Sequence, residues 1–138
     1  MKKGTPRSDC PLSLSLDILG DKWTLIIIRD MVIYDKVSYN EFLQSEERIA
    51  TNILADRLDA LEHHGFITRK VFSGNKGKVI CSMTEKSIDL IPIIMEYYLW
   101  GAKYNPESKK FLLDKLNSDK QGTIAAYQEK IRKRIMVD

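Results

Sequence analysis

A chain of 138 residues, 43% of them apolar, is long enough to bury one core, and its charged and aromatic shares are those of an ordinary globular protein. No apolar run approaches the roughly 20 residues that a membrane-spanning helix requires, and Met1-Lys2-Lys3-Gly4 leads into polar residues, not a cleavable leader. A soluble, cytoplasmic protein with no membrane partner is therefore expected. Net charge is +3, and the two cysteines, Cys10 and Cys81, are remote in sequence and in no metal-ligand spacing, which argues against a disulfide scaffold or a bound metal.

From Pro11 to Leu19, Leu12, Leu16 and Leu19 fall on one helical face and Leu14 and Ile18 on another, with Gly20 ending the run. Trp23 to Val32 is almost continuously apolar and rich in β-branched residues, a pattern shared by a buried helix and a strand. Ser38-Tyr39-Asn40-Glu41 has the form of a capping box, so a short helix should start there and carry Phe42 and Leu43 inward. A polar turn, Ser45 to Arg48, follows. The next helix, about Ala50 to His64, places Ile53, Leu54, Leu58 and Leu61 on one face and Thr51, Asn52, Ala55, Asp56 and Asp59 on the other. Gly65 supplies the left-handed residue that ends it.

Two short strands are predicted next, joined by Gly74-Asn75-Lys76-Gly77-Lys78. The second is marked by the alternation of Val79, Cys81 and Met83 with Ile80 and Ser82. Thr84 can cap a further helix, apolar on more than one stripe from Ile88 to Trp100, which Pro92 should kink. Surface that one small domain cannot cover points to a second subunit, which would meet this helix and the two-faced first helix. Asn105-Pro106 breaks the chain. Two more helical stretches follow, one with Phe111, Leu112 and Leu116, the other with Ile124, Tyr127, Ile131 and Ile135.

A helix followed by a cationic hairpin is the make-up of a DNA-binding unit, because a helix fits the major groove while the hairpin lies along phosphates or the minor groove. Between Ile67 and Thr84 stand Arg69, Lys70, Lys76 and Lys78 and no acid. Thr51 and Asn52, in the first turn of the reading helix, are the candidate base contacts, and Ala55 could touch a thymine methyl. Asp56 repels phosphates and is left out. Lys76 and Lys78 are the principal phosphate or minor-groove candidates, with Lys22 and Arg48, at turns before two helices, as weaker ones. Solvated polar residues at a helix start and solubilising lysines at a loop tip are the plain alternatives.

Cys10 is a second kind of candidate. Pro11 suits the first position of a helix, so the thiol sits at the positive end of the helix dipole, where a thiolate is stabilised and redox sensing becomes feasible. Cys81 reads as core. Catalysis finds little support. His63 and His64 are adjacent and cannot share a helix face, and there is no glycine-rich phosphate loop or nucleophile elbow. No enzyme, no cofactor and no metal are expected. Competing readings are a winged-helix module for protein–protein contacts without DNA binding, and a thiol-dependent enzyme working through Cys10.

The ordered set Cys10-Pro11, Gly20-Asp21-Lys22-Trp23-Thr24-Leu25, Tyr39-Asn40-Glu41-Phe42, Ile49 with Leu54, Arg57-Leu58, Leu61-Glu62, Gly65-Phe66-Ile67-Thr68-Arg69, Met83-Thr84-Glu85, Pro92 and Trp100-Gly101 resembles the HxlR family of bacterial winged helix-turn-helix regulators, relatives of the MarR group. The resemblance runs from about Asp9 to Lys103. It departs at Ala50, where a serine often caps the helix, at Ser87, where a glycine is common, and in a wing loop without the usual prolines. It implies an α+β, mainly α fold: a winged helix-turn-helix with a two-stranded wing and extra dimerisation helices. Residues 1–9 would form a flexible N-terminal arm, 10–104 the DNA-binding domain and 105–138 a C-terminal helical extension, whose Lys130, Arg132, Lys133 and Arg134 have no assigned role. The family's implied partners are a double-stranded operator, read by a homodimer, and a small-molecule or oxidant signal. In some members the cysteine matching Cys10 senses oxidants or electrophiles, often through an intersubunit bond.

Overall fold

A computed structural model describes residues 6–72, 74 and 77–137. The elements run α1 (Pro11–Leu19), α2 (Thr24–Ile33), α3 (Tyr39–Phe42), α4 (Thr51–His63), β1 (Ile67–Val71), β2 (Val79–Met83), α5 (Glu85–Ile88), α6 (Ile91–Tyr104), α7 (Leu113–Ser118) and α8 (Lys120–Val137). It is a mainly helical winged-helix fold with one antiparallel hairpin, in which Ile67 pairs with Met83 and Arg69 with Cys81.

The ambiguous apolar run is a helix. Thr24, Ile27, Ile28 and Met31 are buried at helical spacing, and the Asp21 carboxylate accepts hydrogen bonds from the backbone N–H groups of Trp23 and Thr24, both at 2.9 Å. Burying one continuous stripe outweighs the weak strand preference of β-branched residues. Four elements send side chains into one core: Ile28 from α2, Leu54, Leu58 and Leu61 from α4, Ile67 and Cys81 from the hairpin, and Met95 from α6.

Three details differ from expectation. Ile53 does not join the inward row of α4 and is 37% exposed, because Leu54, Leu58 and Leu61 already define the buried stripe and Ile53 lies one residue off it. Pro92 kinks nothing. The single helix expected after Thr84 is divided near Leu90 into α5 and α6, and Pro92 lies in the first turn of α6, where a missing N–H costs no intrahelical bond. Phe111 and Leu112 precede α7 instead of lying within it, Leu112 as its N-cap.

Where α4 ends, Gly65 adopts φ +78°. The Phe66 N–H then reaches the Leu61 carbonyl at 2.8 Å and the Gly65 N–H reaches that of Glu62 at 3.1 Å, a Schellman closure that sends the chain directly into β1. Ser87 is fully buried and completes a capping box with Thr84, so the family's common glycine is replaced by a hydroxyl with a structural role.

The C-terminal helices pack back on the domain. Leu112, Leu116 and Ile131 belong to the same core. Three cations of α8 are bound to the body of the molecule: Lys130 Nζ donates to the Val32 carbonyl at 2.8 Å and to Asp35 at 3.1 Å, Arg132 Nε pairs with Glu85 at 3.0 Å, and Arg134 pairs with Asp35. α1 is the opposite case. None of its residues is buried, Leu12 is 66% exposed, and the neighbouring surface of α6 leaves Tyr97, Trp100 and Tyr104 in the open. Among the described residues no helix is long and apolar enough to cross a membrane.

Candidate nucleic-acid interface

The helix–turn–helix is assembled from local rules. Ser38 caps α3, its hydroxyl accepting from the Glu41 N–H, while the Glu41 carboxylate accepts from the N–H groups of Val37 and Ser38, both at 3.1 Å. Partial burial pushes the Glu41 carboxyl up, but these hydrogen bonds, with that of the Ser38 hydroxyl, hold it below its ordinary value. The turn that follows is closed by the Arg48 N–H on the Ser45 carbonyl at 3.1 Å, with Arg48 at φ +59°, a left-handed conformation uncommon outside glycine. Arg29 of α2 fixes the same turn from below, its guanidinium forking onto Glu47 at 2.6 and 2.8 Å.

α4 begins without a side-chain cap, as its N-cap residue is Ala50. Its first turn is instead held from α3, where the Tyr39 hydroxyl donates to the Thr51 carbonyl at 3.1 Å. The side chains of Thr51, Asn52 and Ala55 are all exposed, free of the core that Leu54 and Leu58 enter. Arg48, just before the helix, is exposed and its side chain makes no hydrogen bond or ion pair with the other described residues. Lys22 is exposed at the turn before α2, its Nζ 5.2 Å from the centre of the Trp23 ring.

The wing is less uniformly basic than the local sequence implies. Arg69 lies on the face of β1 toward α4 and is bound there, its guanidinium 2.7 Å from both Asp59 and Glu62, which raises its pKa. Its charge therefore belongs to a clamp between the wing and α4. Lys70 and Lys78 are exposed, and Lys78 lies close enough to Glu41 to favour that carboxylate. Lys76 lies outside the described residues.

Cys10 occupies the N-cap of α1 and is exposed. The backbone N–H groups of Ser13 and Leu12 point at its sulfur and hold the thiol below its ordinary pKa, as a helix N-terminus does for an anion. Cys81 contrasts with it. Burial in the hairpin pushes that thiol up to about 11, which keeps it protonated and inert.

The HxlR-like helix-turn-helix family model matches residues 18–109. This chain belongs to that family. It is 34% identical over 111 residues to the uncharacterized HTH-type transcriptional regulator YdeP of Bacillus subtilis (strain 168), an alignment covering 80% of this chain and 86% of YdeP. Among solved structures it resembles the redox regulator HypR in its oxidized form, at 32% identity and a TM-score of 0.63, covering 70% of this chain and 98% of HypR. It likewise resembles the reduced form of the transcriptional regulator YodB from B. subtilis, at 28% identity and a TM-score of 0.58, covering 74% of this chain and all of YodB (100%). The curated relatives are transcriptional regulators.

Three arginines of this HxlR-family chain make ion pairs that escape a reading by sequence: Arg69 with Asp59 and Glu62, Arg57 of α4 with Asp21 at 3.5 Å, and Arg29 with Glu47. Each joins α4, or the turn before it, to another element. The spacing of Asp59 and Glu62 three residues apart does place two carboxylates on one side of α4, a signal that a cation should face them. Which cation does so depends on where the hairpin folds.

Proposed function

We propose that this HxlR-family protein is a sequence-specific DNA-binding transcriptional regulator that grips a pseudo-palindromic operator as a homodimer. The observation that carries the reading is the exposure of Thr51 and Asn52 in the first turn of α4, flanked by a hairpin on the same side of the domain that bonds to that helix through Arg69. In this arrangement Asn52 pairs with an adenine edge, Thr51 and Ala55 complete the base contacts, and Arg48, Lys22, Lys76 and Lys78 neutralise phosphates. The exposed apolar surface of α1 and α6 supports a partner protomer there, since apolar surface of that extent is normally covered. The α7–α8 extension serves the core of the domain and leaves the reading face free.

Cys10 is the proposed redox sensor. Two similar proteins, the redox regulator HypR and YodB in a diamide-treated form 30% identical with a TM-score of 0.54, support this together with the thiol's place at the N-cap. Diamide accepts two hydrogens as two thiols become a disulfide, and the two Cys10 residues of a dimer are the candidates.

Selection of bound fragments from random duplex DNA, with and without diamide, tests both claims. The expected result is a palindromic consensus bound with a steep salt dependence and released on oxidation by the native protein but not by Cys10→Ser. Selection that enriches nothing overturns the DNA reading, and a diamide-insensitive profile overturns the sensor alone. Lys76→Glu with Lys78→Glu should abolish enrichment; a protein-contact module would keep its activity through that change.

A further inference from the structure

A cavity of about 550 Å³ opens between α1, α2, α6 and the connection preceding α7, within the size range of small-molecule sites. Its walls are Leu25 and Ile26 of α2, Ile94 and Tyr98 of α6, and Phe111. The Phe111 ring stands edge-on to Tyr98, with centroids 6.0 Å apart, and 6.3 Å from the ring of Tyr34. The Tyr98 hydroxyl holds this wall in place, accepting from the Leu112 N–H at 3.0 Å and donating to the Lys109 carbonyl at 3.3 Å. Ile26, also in the lining, is partly buried yet stands outside the core cluster. A flat apolar body is what such a slot accepts.

Charge narrows the class further. The charged residues reaching the cavity are Asp21, Lys22, Arg29, Glu46 and Lys109. Asp21 is engaged by Thr24 and Arg57, Arg29 by Asp30 and Glu47, and Glu46 and Lys109 by each other. Lys22 has no carboxylate partner among the described residues and rests on the Trp23 ring. One uncompensated ammonium suits a single negative charge, whereas a dianion would sit beside Asp21 and Glu46 with too little positive charge to hold it.

We propose that this cavity is an effector site for a small aromatic monoanion such as an arylcarboxylate, its ring between Ile26 and the Tyr98–Phe111 wall and its charge on Lys22 Nζ, which occupancy then withdraws from the phosphate contact proposed for it above. Two of the lining ion pairs lead to the reading head: Asp21 to Arg57 on α4, and Arg29 to Glu47 in the turn before it. Occupancy therefore biases the placement of α4. This effector role rests on the DNA-binding reading above, while the binding site does not.

Calorimetry of the full chain without DNA, using 2-naphthoate and its uncharged counterpart 2-naphthylmethanol as probes, tests the site. The acid should bind at least tenfold more tightly than the alcohol, Lys22→Gln should erase that preference, and Ile26→Phe should weaken both probes at least tenfold. The circular dichroism and melting temperature of both variants report whether they fold, and Lys22→Gln, at an exposed position, keeps the test decisive if Ile26→Phe does not. No saturable binding, equal affinity for acid and alcohol, or affinities indifferent to both substitutions overturns the site. Sedimentation in the same buffer adds a further check: binding that appears only as the species falls to monomer mass assigns the cavity to the partner chain and overturns the proposal. With a selected duplex, 2-naphthoate should change the affinity of the native protein at least fivefold, and an unchanged affinity overturns the effector role. A chain that binds the acid but enriches no duplex refutes the DNA reading and leaves the cavity standing.

Discussion

Asn52 and Lys78 are both exposed polar residues of the proposed interface, and the physics of their contacts separates them. A paired hydrogen bond to a base discriminates by about 1–3 kcal/mol, so Asn52→Ala should lower affinity for the selected sequence roughly tenfold or more and leave non-specific binding in place. Its exposure predicts a melting temperature essentially unchanged, as surface substitutions stay within about 0.5 kcal/mol. Lys78→Gln should weaken all sequences alike and reduce the slope of log affinity against log salt by about one. Fluorescence anisotropy on specific and scrambled duplexes at several salt concentrations checks both. Gly65 behaves differently again. Nothing lies within 4 Å of the Cβ it lacks, so Gly65→Ala is opposed by its φ of +78° alone and should destabilise by about 1 kcal/mol, read by urea denaturation.

At the level of elements, the α3 cap makes stability depend on acid. The Glu41 carboxyl titrates below its unfolded value, so its contribution is complete above that ordinary carboxylate range and is lost as the pH falls through the lower, folded value. Glu41→Gln should therefore reduce stability at neutral pH and flatten the decline in melting temperature on the acid side. The Arg69 clamp predicts an effect on binding more than on folding. Asp59 is largely exposed, and such pairs contribute about 0–1 kcal/mol to stability. Arg69→Gln nonetheless leaves two carboxylates on the side of α4 nearest the wing, where they would repel phosphates. DNA affinity should fall several-fold and recover in part when Glu62→Gln is added; no recovery in that double variant would show that Arg69 acts in another way.

On the scale of the whole molecule, two predictions separate what α1 and α6 do from what α8 does. Trp100 is 66% exposed, and Trp100→Glu should shift the protein toward monomer in sedimentation and cost operator affinity while leaving the monomer folded. Ile131 is buried in the common core although it lies outside the residues the family model spans. Ile131→Ala should cost about 2–5 kcal/mol in a single cooperative transition. Two separate transitions would mean that the extension folds as its own unit.

Much of this architecture is local, and local structure is legible in one dimension. The Ser38–Glu41 box, the Leu54-Leu58-Leu61 stripe, the Gly65 stop and the alternation from Val79 to Met83 each depend on residues a few positions apart, so α4 and the wing could be placed from the sequence, and the exposed side of α4 with them. The α2 run was ambiguous because periodicity is hidden when nearly every residue is apolar, and Pro92 misled because its effect depends on whether a helix has already started. The ion pairs of Arg69, Arg57 and Arg29, the return of α8 onto the core and the cavity beside Lys22 were decided only in three dimensions. Charges attract and apolar faces bury according to distance in space, and that distance is set by how the whole chain closes on itself.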